Sequence, residues 1–273
     1  MQSVQSKYLM VGDIRTHYLE AGSGPPVILL HSAEFGACAE LTWEFTIEDL
    51  ARHFHVYAPD WLGFGKTAKW FSFESMFWAR VEHIRRFLEA LCIERAHFVG
   101  NSMGAGTLLA VAAMEKPAWP LERIVVSNGG GDFPNEDIRQ FMINYDCTRE
   151  YMRRMVQTLF FNPRIREDEE YIERRYQLSL EPGSWECTAA VRFKSPAAKP
   201  RAGRPDIEYG RIKAPTLLVM GARDNLRPSD FGEFLHTNIS GSKLHKIPSA
   251  GHYPQIDEPA EFNRVVIQFL LAG

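Results

Sequence analysis

The sequence predicts an α/β fold, a mostly parallel, doubly wound sheet interrupted by a helical insertion. Three observations predict it. Short aliphatic and β-branched runs recur along the chain, and they alternate with segments whose apolar residues fall at three- and four-residue steps. That alternation then stops between about residues 133 and 206. Strand–helix alternation builds a sheet covered by helices on both faces, and the interruption marks an insertion.

The first strand candidates are Val27-Ile28-Leu29-Leu30 and Phe54-His55-Val56-Tyr57. Continuous apolar character, as in the first, suits a strand buried on both faces of a parallel sheet. Phe77, Val81, Ile84, Phe87, Leu88 and Leu91 then mark one face of a helix. Ala96-His97-Phe98-Val99 reads as a strand, followed by Gly104 to Met114, whose small residues suit a helix packed closely on the sheet. Arg123-Ile124-Val125-Val126 is the last strand before the break. Two long helical patterns follow, Asn135 to Phe161 and Glu167 to Leu180. The return segment, Ser195 to Asp206, is basic but interrupted by Pro196, Pro200 and Pro205, and reads as a solvated loop rather than a binding patch. Strands resume with Thr216 to Met220 and Lys243 to Ile247, and a final helix carries Phe262, Val265, Val266, Phe269 and Leu270 on one stripe. The expected organisation is a core domain from 1–132 and 207–273 with a helical lid at 133–206.

Composition narrows the function. The chain has 273 residues, 45% apolar and 24% charged, enough to bury a core without metal or disulfide staples. Net charge is −3, which gives no basis for a nucleic-acid or anionic-membrane partner. No apolar run approaches the ~20 residues of a membrane span, and Met1 to Lys7 lacks the apolar stretch of a signal peptide. Cys38, Cys92, Cys147 and Cys187 are scattered, with no CxxC and no Cys/His cluster. They read as reduced thiols of a cytoplasmic protein with no metal site. A small-molecule substrate is the expected partner, and a homo-oligomer stays open.

The chemistry is carried by Gly100-Asn101-Ser102-Met103-Gly104, a G-x-S-x-G directly after a strand and before a helix. In that context the serine sits on a strained turn as a nucleophile. A serine hydroxyl needs a base, itself oriented by an acid, in the chain order Ser, acid, His. His252 and Asp224 each follow a strand, where an open sheet places its site. Asp132, after the strand ending at Val126, is the alternative acid. Asp60 and Asp257 read as turn and helix-start residues, and His31 as a loop anchor. Two backbone amides are needed for the oxyanion. Met103, after the serine, is one, and Ala33, after the strand Val27 to Leu30, is the other.

These residues make the whole chain resemble an α/β-hydrolase-fold serine hydrolase, and most of all the meta-cleavage-product hydrolases, which break carbon–carbon bonds in aromatic degradation. The stretches that carry the resemblance are Leu50 to Val56, Val99 to Gly104, and Glu261 to Leu270. The resemblance implies the α/β-hydrolase fold with an inserted lid, no cofactor, and a triad of Ser102, Asp224 and His252. It also implies a substrate-binding role for Arg175. Asn101, Ser32, Thr42 and Tyr253 complete the expected substrate contacts. The chain departs from the family in the loop His31 to Ala37, where Ser, Ala, Glu and Phe replace Gly and Pro. Thr42 stands where an asparagine is usual, and Tyr253 where a tryptophan is usual. Glu34 would set a negative charge near the site, unfavourable for an anionic substrate. The implied reaction is C–C cleavage of a meta-ring-fission product or similar vinylogous diketone. A carboxylesterase or lactonase with the same triad is the alternative, and a non-catalytic ligand-binding protein a more distant one. Epoxide hydrolases and haloalkane dehalogenases use an aspartate at the elbow, so Ser102 excludes them.

Overall fold

The structure, a computed structural model, describes residues 3–73, 75–130, 135–190 and 204–272. A hairpin opens it ahead of the first expected strand, formed by β1 (Gln5–Val11) and β2 (Ile14–Gly22). Val11 pairs with Ile14 across the two-residue turn, where Gly12 adopts φ +60°, the backbone such a turn demands. Then follow β3 (Pro26–Leu30), α1 (Ala39–Trp43), α2 (Ile47–Leu50), β4 (His55–Pro59), α3 (Met76–Ala90), β5 (Ala96–Asn101), α4 (Met103–Ala112) and β6 (Leu121–Ser127). Five helices come next: α5 (Glu136–Ile143), α6 (Arg149–Leu159), α7 (Pro163–Arg166), α8 (Glu169–Leu180) and α9 (Ser184–Ala189). The chain closes with β7 (Thr216–Gly221), α10 (Phe231–Asn238), β8 (Lys243–Ile247), α11 (Pro254–Asp257) and α12 (Pro259–Leu271).

The eight strands form one sheet in the order β1-β2-β4-β3-β5-β6-β7-β8. β2 is antiparallel to both neighbours, and every pairing from β4 onward is parallel. Side chains alternate across the sheet, so each strand feeds two cores. Ile28, Leu30, Phe98 and Val126 pack with Val81, Ile84 and Phe87 of α3, Leu108 of α4 and Leu235 of α10. Val27, Leu29, Val99 and Val125 pack with Trp43 of α1, Leu50 of α2, and Phe262, Val266 and Phe269 of α12. This is the doubly wound arrangement that the continuous apolar strands implied.

A third cluster joins α5, α6 and α8 to the loops beyond the strands. Met142, Met155, Leu159, Phe160 and Ile172 pack with Phe35 after β3, Leu226 after β7 and Tyr253 after β8. The helices between β6 and β7 therefore cover the C-terminal ends of the parallel strands. The single helical pattern Asn135 to Phe161 is two helices, because the Asp146 carboxylate accepts from both the amide and hydroxyl of Thr148, and Thr148 Oγ1 in turn caps α6. Cys147 takes φ +64° within that break. Most of the Ser195 to Asp206 loop lies outside the described residues, as does Asp132. No helix among the described residues is long and apolar enough to cross a membrane.

Candidate active site

Ser102 joins β5 to α4 with φ 52° and ψ −112°, a conformation rare for a side-chain-bearing residue. Its flanking glycines are steric necessities. A Cβ on Gly104 would lie 2.1 Å from the Leu30 carbonyl oxygen, and one on Gly100 would lie 2.6 Å from the Ala105 nitrogen. Only glycine lets the turn pack against β3 and α4. The Met103 amide opens α4, where first-turn N–H groups have no partner in the helix itself. Ala33 lies just beyond β3.

Asp224 and His252 come together from the ends of β7 and β8. His252 Nδ1 lies 2.8 Å from Asp224 Oδ2, and the imidazole is fully buried. The two loops approach so closely that a Cβ on Gly221 would sit 2.0 Å from the Gly251 carbonyl oxygen. Asn128, at φ +45°, clamps them. Its Nδ2 donates to Gly251 O at 2.7 Å and its Oδ1 accepts from Gly221 N at 3.0 Å. Asp257 holds the same loop from the other side, accepting from Gly251 N at 2.7 Å and from the amides of Phe161 and Asn162 at 3.0 and 2.9 Å. It is the last residue of α11, not a helix start. Neither Asn128 nor Asp257 stands out in the sequence as a site residue, since each acts on backbone groups that only the fold brings near.

Glu34 occupies the centre of the site. Ser102 Oγ donates to Glu34 Oε1 at 3.4 Å, and His252 Nε2 lies 3.6 Å from the same oxygen. Among the described residues His252 Nε2 has no hydrogen-bond partner. The other carboxylate oxygen accepts from Tyr253 Oη at 2.5 Å and faces Arg175 Nη2 at 3.5 Å. Ser32 Oγ is bonded in turn to Tyr253 Oη. Burial alone would raise the Glu34 carboxyl. Its neighbours His252 and Arg175, with the Tyr253 and Ser32 hydroxyls, outweigh it and hold the group below the ordinary carboxylate range.

Arg175 reaches the site from α8, only 1% exposed, with Nε donating to Phe35 O at 3.2 Å. Ser32, Tyr253 and Arg175 thus converge on Glu34. Two further residues expected at the substrate, Asn101 and Thr42, do not touch Glu34. Asn101 is fully buried and its Nδ2 donates to the carbonyls of His252 and Ser127 at 3.0 and 3.3 Å, so it braces the histidine loop. Thr42 is buried in α1, and none of the polar contacts at Ser102, Glu34 or His252 is its own. His31 anchors its loop as a neutral ring, Nδ1 donating to Ser32 O and Nε2 accepting from Trp61 N, with burial pushing it down to about 4. Asp60 is more than a turn residue. It is a buried hub accepting from His17 Nδ1 and the amides of Ala39 and Lys66. With Ser6 Oγ 2.8 Å from His17 Nε2 this makes a second Ser–His–Asp chain. Ser6, however, lies on regular strand β1, paired with Leu19, without a strained turn. A cleft of about 890 Å³ lined by Met114, Trp119, Glu122, Arg211 and Lys213 lies at the opposite end of β6 and β7 from Ser102.

A serine on a strand-to-helix elbow, with an acid and a histidine at later strand ends under inserted helices, defines the α/β hydrolases. The chain belongs to the alpha/beta hydrolase family, whose model matches residues 27–265. Its similarity is to enzymes of ring-fission products. It is 34% identical, over 97% of this chain and 90% of the other, to a 2-hydroxy-6-oxo-6-(2'-aminophenyl)hexa-2,4-dienoic acid hydrolase of Metapseudomonas resinovorans. A 2-hydroxymuconate semialdehyde hydrolase of Pseudomonas sp. (strain CF600) is 31% identical over 96% of this chain and 92% of its own. Among solved structures, the 2-hydroxy-6-oxo-6-phenylhexa-2,4-dienoate hydrolase of Rhodococcus sp. strain RHA1 superposes with a TM-score of 0.86, at 25% identity and complete coverage of both chains.

Proposed function

We propose that the chain is a cofactor-independent serine hydrolase that cleaves the C–C bond of a meta-ring-fission product or similar vinylogous diketone. The observation that carries this is the His252–Asp224 pair at 2.8 Å beside a serine on a strained elbow. The activities named for its full-length relatives support the same reaction.

On this reading His252 takes the Ser102 proton as Oγ adds to the substrate ketone, and Asp224 stabilises the imidazolium and fixes its tautomer. The Met103 and Ala33 amides receive the oxyanion. The substrate reacts as its keto tautomer, so collapse breaks the C–C bond and its electron pair is delocalised as a dienolate, whose oxygen takes the proton from His252. Water, deprotonated by His252, then adds to the acyl-serine and releases a carboxylic acid and free Ser102. Residues 133–206 act as the lid, and the partner is a small molecule in the cytoplasm rather than a nucleic acid or a membrane.

The test incubates purified protein with a phenyl-bearing dienoate or the corresponding uncharged diketone and measures benzoate release. Ser102→Ala should lower turnover by several orders of magnitude with folding intact. Hydrolysis of p-nitrophenyl esters without any benzoate release would replace this reading with a carboxylesterase.

A further inference from the structure

Arg175 is a buried cation whose counter-ion is already in place. Its guanidinium faces the Glu34 carboxylate at 3.5 Å, and the Phe35 carbonyl, the Tyr253 ring and the Tyr171 hydroxyl also lie against it. Both charges are shielded from water, with side chains 1% and 9% exposed. A buried guanidinium paired with one anion has little electrostatic attraction left for a second. Glu34 also touches the reacting groups, within 3.4 Å of Ser102 Oγ and 3.6 Å of His252 Nε2. A substrate carboxylate brought to Arg175 would therefore meet a fixed negative charge in a desolvated corner, where like charges repel strongly.

We propose that Glu34 is a built-in counter-ion for Arg175 that sets specificity, so that the substrate is an uncharged vinylogous 1,5-diketone rather than a dienoate. The proposal rests on the C–C hydrolase reading and narrows its substrate class. An enol hydroxyl carries no charge penalty there and donates to the Glu34 carboxylate. Tyr253 and Ser32 form a hydroxyl chain that holds this carboxylate in place. Its ionised state, favoured by the surrounding cation and donors, keeps the selection in force at neutral pH.

The experiment measures binding to the Ser102→Ala variant, which does not depend on which bond the wild type breaks. The ligands are 2-hydroxy-6-oxo-6-phenylhexa-2,4-dienoate and its analogue with a methyl group in place of the carboxylate. The analogue should bind at least tenfold more tightly. Adding Glu34→Gln, which keeps the size and one acceptor oxygen but removes the charge, should shift that ratio at least tenfold toward the acid. Adding Arg175→Gln as well should abolish the gain. A purely structural Glu34 would weaken both ligands equally. The proposal is overturned if the acid binds as tightly as the analogue, if neither binds, or if Glu34→Gln leaves the ratio unchanged. Benzoate release by the wild type reports separately on C–C cleavage. Its absence alongside ester hydrolysis would remove the C–C reading while the binding ratio still reports on charge.

Discussion

Ser102 and its neighbours show what is readable at the scale of single residues. The elbow was legible because its requirements are local: a serine at φ 52° costs on the order of 1–3 kcal/mol and needs glycines where backbone crowds it. Asp224 and His252 were legible because a strand end followed by a polar loop is also a local signal. The sequence alone puts Glu34 near the site as a charge. Its pairing with Arg175, 141 positions away, depends on how α8 lies over the β3 loop. The bracing contact of Asn101 depends on the fold for the same reason, since the His252 carbonyl it serves is 151 positions distant. Asn128 was not legible at all, yet it predicts a measurable effect. Asn128→Ala leaves Gly251 O and Gly221 N without partners and puts alanine at φ +45°. With about 1–3 kcal/mol for each buried group left unsatisfied, the variant should lose about 2–4 kcal/mol in urea unfolding. Its kcat should fall more than its KM rises, because the acid and base loops lose their common clamp. Unaltered stability would mean the two loops hold each other without it.

At the scale of elements, the strands buried on both faces were found within a residue or two, since continuous apolar character is a strong signal. The β1–β2 hairpin escaped because Gln5, Ser6 and Lys7 lie on an exposed edge and break any apolar run. The α5–α6 break escaped because Asp146 and Thr148 stop a helix by hydrogen bonding and leave the apolar period undisturbed. How the inserted helices attach was also hidden. Asp257 ties the end of α6 to the histidine loop by accepting three backbone amides, and His252 N donates to Leu159 O at 2.8 Å beside it. Asp257→Ala should therefore cost about 2–4 kcal/mol, at the same ~1–3 kcal/mol per stranded donor. Hydrogen exchange should rise at Phe161, Asn162 and Gly251 together, with a fall in kcat. Faster exchange at Gly251 alone would show that α6 is held by its apolar contacts. Because Asn128 and Asp257 grip opposite sides of Gly251, the double variant should lose an amount that differs from the sum of the two.

At the scale of the whole molecule, burying a core on both faces of the sheet also buries ionisable groups, and these set how stability responds to acid. His31, under the β3 loop, and His83, on α3, are both pushed down to about 4 by burial. His83 Nε2 bonds Thr16 Oγ1, and its Nδ1 has no partner among the described residues, an arrangement suited to a neutral ring. In the unfolded chain both rings return to about 6.5. Below that value the unfolded state binds protons that the folded state refuses until about pH 4, so stability falls as pH drops through this window. Each histidine contributes a slope of up to about 1.4 kcal/mol per pH unit within it. Asp60 and Glu34, held below their ordinary range despite burial, add losses of the same sign at lower pH, as the unfolded carboxylates protonate first. Asp257, raised by burial, opposes them, since its protonated form is favoured in the fold. The histidines act first. Urea unfolding at steps from pH 7.5 to 4.5 should show a plateau above about 6.5 and a steep decline between about 6.5 and 4, where both histidines titrate only in the unfolded chain. His83→Gln should remove part of the decline in the upper part of that window, the rest coming from His31 and from His97, which burial also pushes down. A profile level down to pH 5 in the wild type would mean that both rings accept protons in the folded state, by local opening or by entry of water.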